Sequence, residues 1–138
     1  MTTPDPQLRS VVLERDLNHP PTRVWRALTE PALLAEWLMA TDFALSLGRK
    51  FAFTADWGEV ACEVLEIEPG RTLSYSWGDG VLDTVVTWTL TPILGGVRLR
   101  MEQTGFRRDQ PRYLMGATAG WPRFLNRLEQ LLHEEPQA

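Results

Sequence analysis

Cysteine is all but missing: Cys62 stands alone among 138 residues, so no disulfide can close within the chain and stability must come from a packed core. Histidine is nearly as scarce, and the two present, His19 and His133, lie too far apart to offer a zinc-ligand spacing. No run approaches the ~18 apolar residues that span a bilayer, and the opening MTTPDPQLRS lacks the apolar segment of a secretory signal. Basic charge is in deficit, 14 Lys and Arg against 18 Asp and Glu for a net charge of -4. That excludes the basic footprint a nucleic-acid partner demands. The four serines include no G-x-S-x-G elbow. Together these absences describe a cytoplasmic protein with no membrane span, no metal and no nucleic-acid partner.

What is there is ordinary in bulk: 43% hydrophobic and 23% charged residues, the balance of a globular domain. At this length one core is expected, burying roughly 68–70% of the unfolded chain's surface. The unusual count is six tryptophans. Charge is also segregated. Asp56, Glu59, Glu63, Glu66, Glu68, Asp79 and Asp83 face only Arg71, whereas Arg98 to Arg112 holds five arginines against Glu102 and Asp109. Either two solvated faces offset each other or the chain carries a bipolar partner surface.

Residues 1–7, with two prolines and no apolar pattern, read as a flexible terminus, 8–133 as one domain and 134–138 as a flexible tail. Val11, Leu13 and Leu17 alternate as in a half-buried strand, and Arg15 shares their parity, where an arginine snorkels or pairs. Pro20 and Pro21 stop that strand and open a short helix, Thr22 to Leu28, with Val24, Trp25 and Leu28 as its stripe. Thr29 then caps a second short helix reaching Trp37 or Leu38.

From Asp42 to Phe106 turn signals at Asp56-Trp57-Gly58-Glu59, Glu68-Pro69-Gly70, Trp77-Gly78-Asp79-Gly80 and Gly95-Gly96 divide an antiparallel meander. Alternation places Phe51, Phe53 and Ala55, then Val60, Cys62 and Val64, then Leu73, Tyr75 and Trp77 on one face. Val86, Trp88 and Leu90 join them, as do Val97, Leu99, Met101 and Gln103. Glu63, Arg98, Arg100 and Glu102 fall on the opposite, wet face. After Arg107 the period turns helical, Asp109 or Gln110 can cap, and Trp121, Phe124, Leu125, Leu128, Leu131 and Leu132 form a stripe that must cover the sheet. Pro122, with Gly116 and Gly120 nearby, predicts a kink near Thr118 to Trp121. The class is α+β with one core between helix and sheet.

The run RDLNHPPTRVWRALTEP from Arg15 to Pro31, Trp37, Gly48 to Phe51, Glu63 to Pro69, Leu73 to Trp77, Val86 to Leu90, Gly120-Trp121 and Phe124 to Leu132 resembles the Hsp90-ATPase-activator-homologue family of the START-like (SRPBCC, Bet v 1-like) superfamily. The resemblance covers about residues 8–133. It implies a helix-grip fold, in which a curved antiparallel sheet wraps a long C-terminal helix and two short helices follow the first strand. Many such relatives bind hydrophobic small molecules in a deep pocket. Others are polyketide cyclases and aromatases, self-sacrificing resistance proteins or co-chaperone domains, so fold does not decide function. The chain departs from the pattern in Ser46-Leu47-Gly48, where a proline-glycine turn is common, and in Pro122.

No catalytic residue and no cofactor is assigned. Cys62 alternates with Val60 and Val64 as a small buried hydrophobe. His19 and His133 read as surface residues, Gly78-Asp79-Gly80 as a hairpin turn, and Glu63 with Glu66 as a solvated face. The candidate ligand-binding set is Trp37, Phe51, Phe53, Trp57, Tyr75, Trp77, Trp88, Met101, Gln103, Tyr113 and Trp121, which otherwise simply fills the interior. Within it Trp57 and Trp77, at turns, are the candidates for a pocket rim. Three functions stay open: noncatalytic binding of a hydrophobic or aromatic molecule, a co-chaperone-like contact with an Hsp90-type chaperone through the segregated charges, and a cyclase- or dehydratase-like enzyme using Tyr75, Tyr113, Gln103 or Arg15.

Overall fold

The computed structural model describes residues 8–134; the terminal segments read as flexible lie outside them, except that the last helix includes Glu134. Strand β1 (Leu8–Leu17) is followed by helices α1 (Pro21–Thr29) and α2 (Pro31–Trp37). The short β2 (Ala40–Thr41) then leads into β3 (Lys50–Ala55), β4 (Gly58–Glu68), β5 (Thr72–Gly78), β6 (Asp83–Ile93) and β7 (Gly96–Arg107), and α3 (Pro111–Glu134) ends the domain. All seven strands form one antiparallel sheet in the order β1-β7-β6-β5-β4-β3-β2. The class and architecture are those expected: a helix-grip α+β fold.

Period-two alternation sets the inner face. Phe51, Phe53, Val60, Cys62, Val64, Leu73, Tyr75, Trp77, Val86, Trp88, Leu90, Val97, Leu99, Met101 and Gln103 are all buried. Register shifts fall at Val64/Glu66 and Arg9/Ser10, and a bulge adds local twist and bend to its strand. At the second, Gly105 is the extra residue at φ 104°, and a side chain there would press on the Asp83 carbonyl.

Trp37 anchors the two short helices. Its indole N–H donates to the Ala27 carbonyl at 2.8 Å, and its ring meets Trp88 edge-on at 5.7 Å. Thr29 does not cap α2 but ends α1, its hydroxyl donating back to the Trp25 carbonyl at 2.8 Å. Glu30 takes the cap position instead, because Pro31 fits the first helical turn and needs no N–H partner. Arg15 pairs as expected, binding Glu129 and Asn126 of α3. Arg23, passed over in the stripe of α1, is buried and donates to the Leu132 carbonyl, tying α1 to the end of α3. Along α3 itself, Trp121, Leu125, Leu128 and Leu132 face the core, and the helix continues through Pro122.

Candidate functional site

The inward face of α3 changes character along its length. Its C-terminal half presents large side chains that fill the space over the sheet; its N-terminal half presents Gly116, Ala117 and Gly120. Small residues cannot reach the sheet, so a cavity of about 300 Å³ remains between that half of α3 and the strands. Trp77 and Gly78 at the end of β5, Leu82 before β6, and Gln103 and Phe106 of β7 form its far wall. Trp57 and Val60, flanking the β3–β4 turn, and Met39 close one side. Gly78 is required here: a Cβ on it would collide with the Leu82 carbonyl oxygen.

The polar groups at the inner end are already engaged with one another. The Trp121 indole N–H donates to Gln103 Oε1 at 2.7 Å, Gln103 Nε2 donates to the Thr84 hydroxyl at 2.9 Å, and that hydroxyl donates to the Trp77 carbonyl at 2.7 Å. Gln103 is 1% exposed, so this chain satisfies a buried amide that would otherwise be costly. It also orients the ring of Trp121, whose centroid lies 5.2 Å from that of Trp77.

The rim is built by the β5–β6 loop and the first turns of α3. Asp79 Oδ1 accepts the N–H groups of Leu82 at 2.6 Å and Val81 at 2.9 Å, an Asx-turn that shapes the loop, and Oδ2 accepts the Tyr113 hydroxyl at 2.9 Å. The Leu82 and Val81 amides, then Tyr113, hold the Asp79 carboxyl below its usual pKa, and the same hydrogen bond to Asp79 raises the Tyr113 phenol. Gln110 Nε2 donates to the Val81 carbonyl at 3.1 Å, a second tie between helix and loop.

Of the candidate ligand-binding residues, Trp57, Trp77, Gln103, Tyr113 and Trp121 line this cavity. Trp37, Phe51, Phe53, Tyr75, Trp88 and Met101 sit in the packed interior, where aromatic edges fill the space: Phe51 lies 5.4 Å from Tyr75, and Tyr75 accepts the Trp88 indole N–H at 2.8 Å. Burial drives the Tyr75 phenol pKa strongly upward. Cys62 is buried with them, its thiol pushed up to about 12 by burial and then by Asp42. Sequence reasoning missed Asp79, Leu82, Phe106 and Arg112 as lining residues. The available signal was Gly116, Ala117 and Gly120 at helical spacing, which marks a face with nothing large to pack.

Among the described residues no group of three or more His, Cys, Asp and Glu could hold a metal, and no helix is long and apolar enough to cross a membrane. Comparison with curated proteins gave no match. Among solved structures, protein MLL2253 from Mesorhizobium loti is 51% identical, with 94% of this chain and 100% of that one covered and a TM-score of 0.90. Protein CV1439 from Chromobacterium violaceum is 29% identical over 91% of this chain and 98% of its own, with a TM-score of 0.75. CalU16 from Micromonospora echinospora is 25% identical over 92% and 78%, with a TM-score of 0.79. Residues 18–133 match the family described as Activator of Hsp90 ATPase homolog 1-like protein. With that match across most of the domain and the helix-grip architecture around it, the chain belongs to the Activator of Hsp90 ATPase homolog 1-like family of the START-like superfamily.

Proposed function

We propose that this protein binds a small apolar molecule with an aromatic body, without transforming it, in the cavity between the N-terminal half of α3 and the β5–β6 end of the sheet. The observation that carries this reading is the contrast within one core: a tightly filled aromatic interior beside about 300 Å³ of open space walled by Trp57, Trp77, Phe106, Tyr113, Trp121 and Phe124. Such a volume is at the small end of ligand sites, and an apolar lining with few polar groups is their usual composition. Catalysis has little support. Arg15 is committed to Glu129, Tyr75 lies outside the cavity lining, and the Gln103 amide is held by Trp121 and Thr84.

Tryptophan fluorescence, titrated with a panel of one- and two-ring aromatic compounds, tests the proposal. Saturable quenching or a spectral shift that disappears in Ala117→Trp, which fills the cavity, is the expected result. Absence of any saturable change across the panel defeats it.

The family membership motivates a second reading, a co-chaperone-like contact with an Hsp90-type chaperone. A salt-sensitive pull-down with such a chaperone is its test, and no retention at low salt removes it. A cytoplasmic location fits either reading, with a lone buried thiol and no second cysteine to pair.

A further inference from the structure

We propose that the ligand of this cavity ends in a carboxylate, with the guanidinium of Arg112 as its counter-charge at the rim. The inference rests on the cavity being a ligand site and adds the polarity of what enters it.

Among the described residues, only two formally charged side chains line the space, Asp79 and Arg112. Asp79 is spent: one oxygen holds the Val81 and Leu82 amides and the other the Tyr113 hydroxyl. A cationic ligand would have to compete with three hydrogen bonds that shape the loop. Arg112 is in the opposite condition, with no hydrogen-bond or ion-pair partner among the described residues. Arg15, Arg98, Arg100 and Arg107 each face a carboxylate within 3.3 Å. Arg108 and Arg123 also lack such a partner, yet neither lines the cavity.

Position adds to this. Arg112 is the second residue of α3, and the first turn of that helix carries no acid. No carboxylate in that turn therefore competes for the guanidinium. At the inner end the Gln103 amide is engaged by Trp121 and Thr84, so a ligand's own polar group is better matched at the rim than in the depth. A planar guanidinium offers two parallel N–H groups, which suits a carboxylate better than a hydroxyl or a carbonyl. The volume of about 300 Å³ equals about ten waters' share of liquid, room for roughly one or two rings.

Calorimetric titration at low ionic strength, with 2-naphthoate, its methyl ester and 2-naphthylmethylammonium as probes, separates the possibilities. The carboxylate is expected to bind roughly tenfold tighter than the ester, the gain typical of a charge-assisted hydrogen bond, with the ammonium weakest. Arg112→Gln should erase the difference by weakening the carboxylate about tenfold, with thermal stability unchanged, since the side chain is exposed. Equal binding of ester and carboxylate to the wild type overturns the carboxylate assignment, a carboxylate preference that survives in Arg112→Gln overturns Arg112 as its counter-charge, and either leaves the cavity reading standing. If none of the three probes binds, the carboxylate assignment falls, and the fluorescence panel decides the cavity reading separately.

Discussion

The hydroxyl of Tyr113 donates a 2.9 Å hydrogen bond to Oδ2 of Asp79, joining α3 to the β5–β6 loop at the edge of the cavity. Asp79 is exposed and Tyr113 only half-buried, so the bond adds little to global stability. Its effect is local. It fixes where the loop lies over a cavity whose other boundary is the same helix.

The pH dependence of that bond follows from the two shifts. Asp79 has a folded-state pKa below its unfolded value of about 3.9, so its contribution is present above that value and is lost as pH falls through the folded pKa. Tyr113 is shifted up, so its contribution is full below about pH 10 and is lost as pH rises through the raised value. Between those limits the loop is expected to stay latched. Carbon-detected NMR of the Asp79 carboxyl should give a midpoint below 3.9, which Tyr113→Phe raises only part of the way, because the Leu82 and Val81 amides are the larger causes. A midpoint unchanged in Tyr113→Phe would show that the bond does not form in solution.

Two tryptophans should respond in opposite ways to truncation. Trp57 is 70% exposed at the β3–β4 turn, so Trp57→Ala is expected to change stability by no more than about 0.5 kcal/mol while weakening aromatic ligands at the rim. Trp88 is 1% exposed and packs on Trp37 and Trp121, so Trp88→Ala should cost about 3–5 kcal/mol. Urea unfolding of both variants, alongside ligand titration of Trp57→Ala, checks the contrast.

Replacing Gln103 with leucine keeps the volume and removes the polar link. The Trp121 indole N–H loses its acceptor in a buried setting, at a cost of about 1–3 kcal/mol. A lowered melting temperature is expected, together with a change in tryptophan emission as Trp121 is freed to move. An unaltered melting temperature would mean that the chain from Trp121 to Trp77 carries no net stability.

The Cys62 thiol should be inert in the native protein. With burial and a pKa near 12, it presents almost no thiolate at neutral pH. Ellman's reagent is expected to react only after denaturation, and rapid labelling of the folded chain would contradict the burial.

Local patterning was enough to place nearly every strand and its inward face. In β5, β6 and β7, hydrophobic alternation marks the core side whatever the partner strands are, because a one-residue slip would expose the whole set. Pro21, Pro31 and Pro111 marked the starts of α1, α2 and α3, since a fixed φ and a missing N–H suit only a first turn. Thr29 was assigned to the wrong helix because its hydroxyl could serve either neighbour, and the choice depended on Trp25 in the preceding turn.

The division of the aromatics into core and cavity wall was beyond the sequence. Tyr75, Trp77, Trp88 and Gln103 share one parity, and nothing in that parity says which faces a leucine and which faces open space. That was decided by the packing of α3, whose glycines and alanine lie opposite Trp77 and Leu82, while its leucines lie over the rest of the sheet. The chain alone thus determined the α+β order of elements, the buried thiol and the inward aromatic face, all consequences of local period and turn chemistry, while the helix grip was implied by the family resemblance. Only the tertiary structure brought Asp79, Arg112 and Tyr113 to one rim and left a space beneath them, because their meeting depends on where a helix and a distant hairpin come to rest.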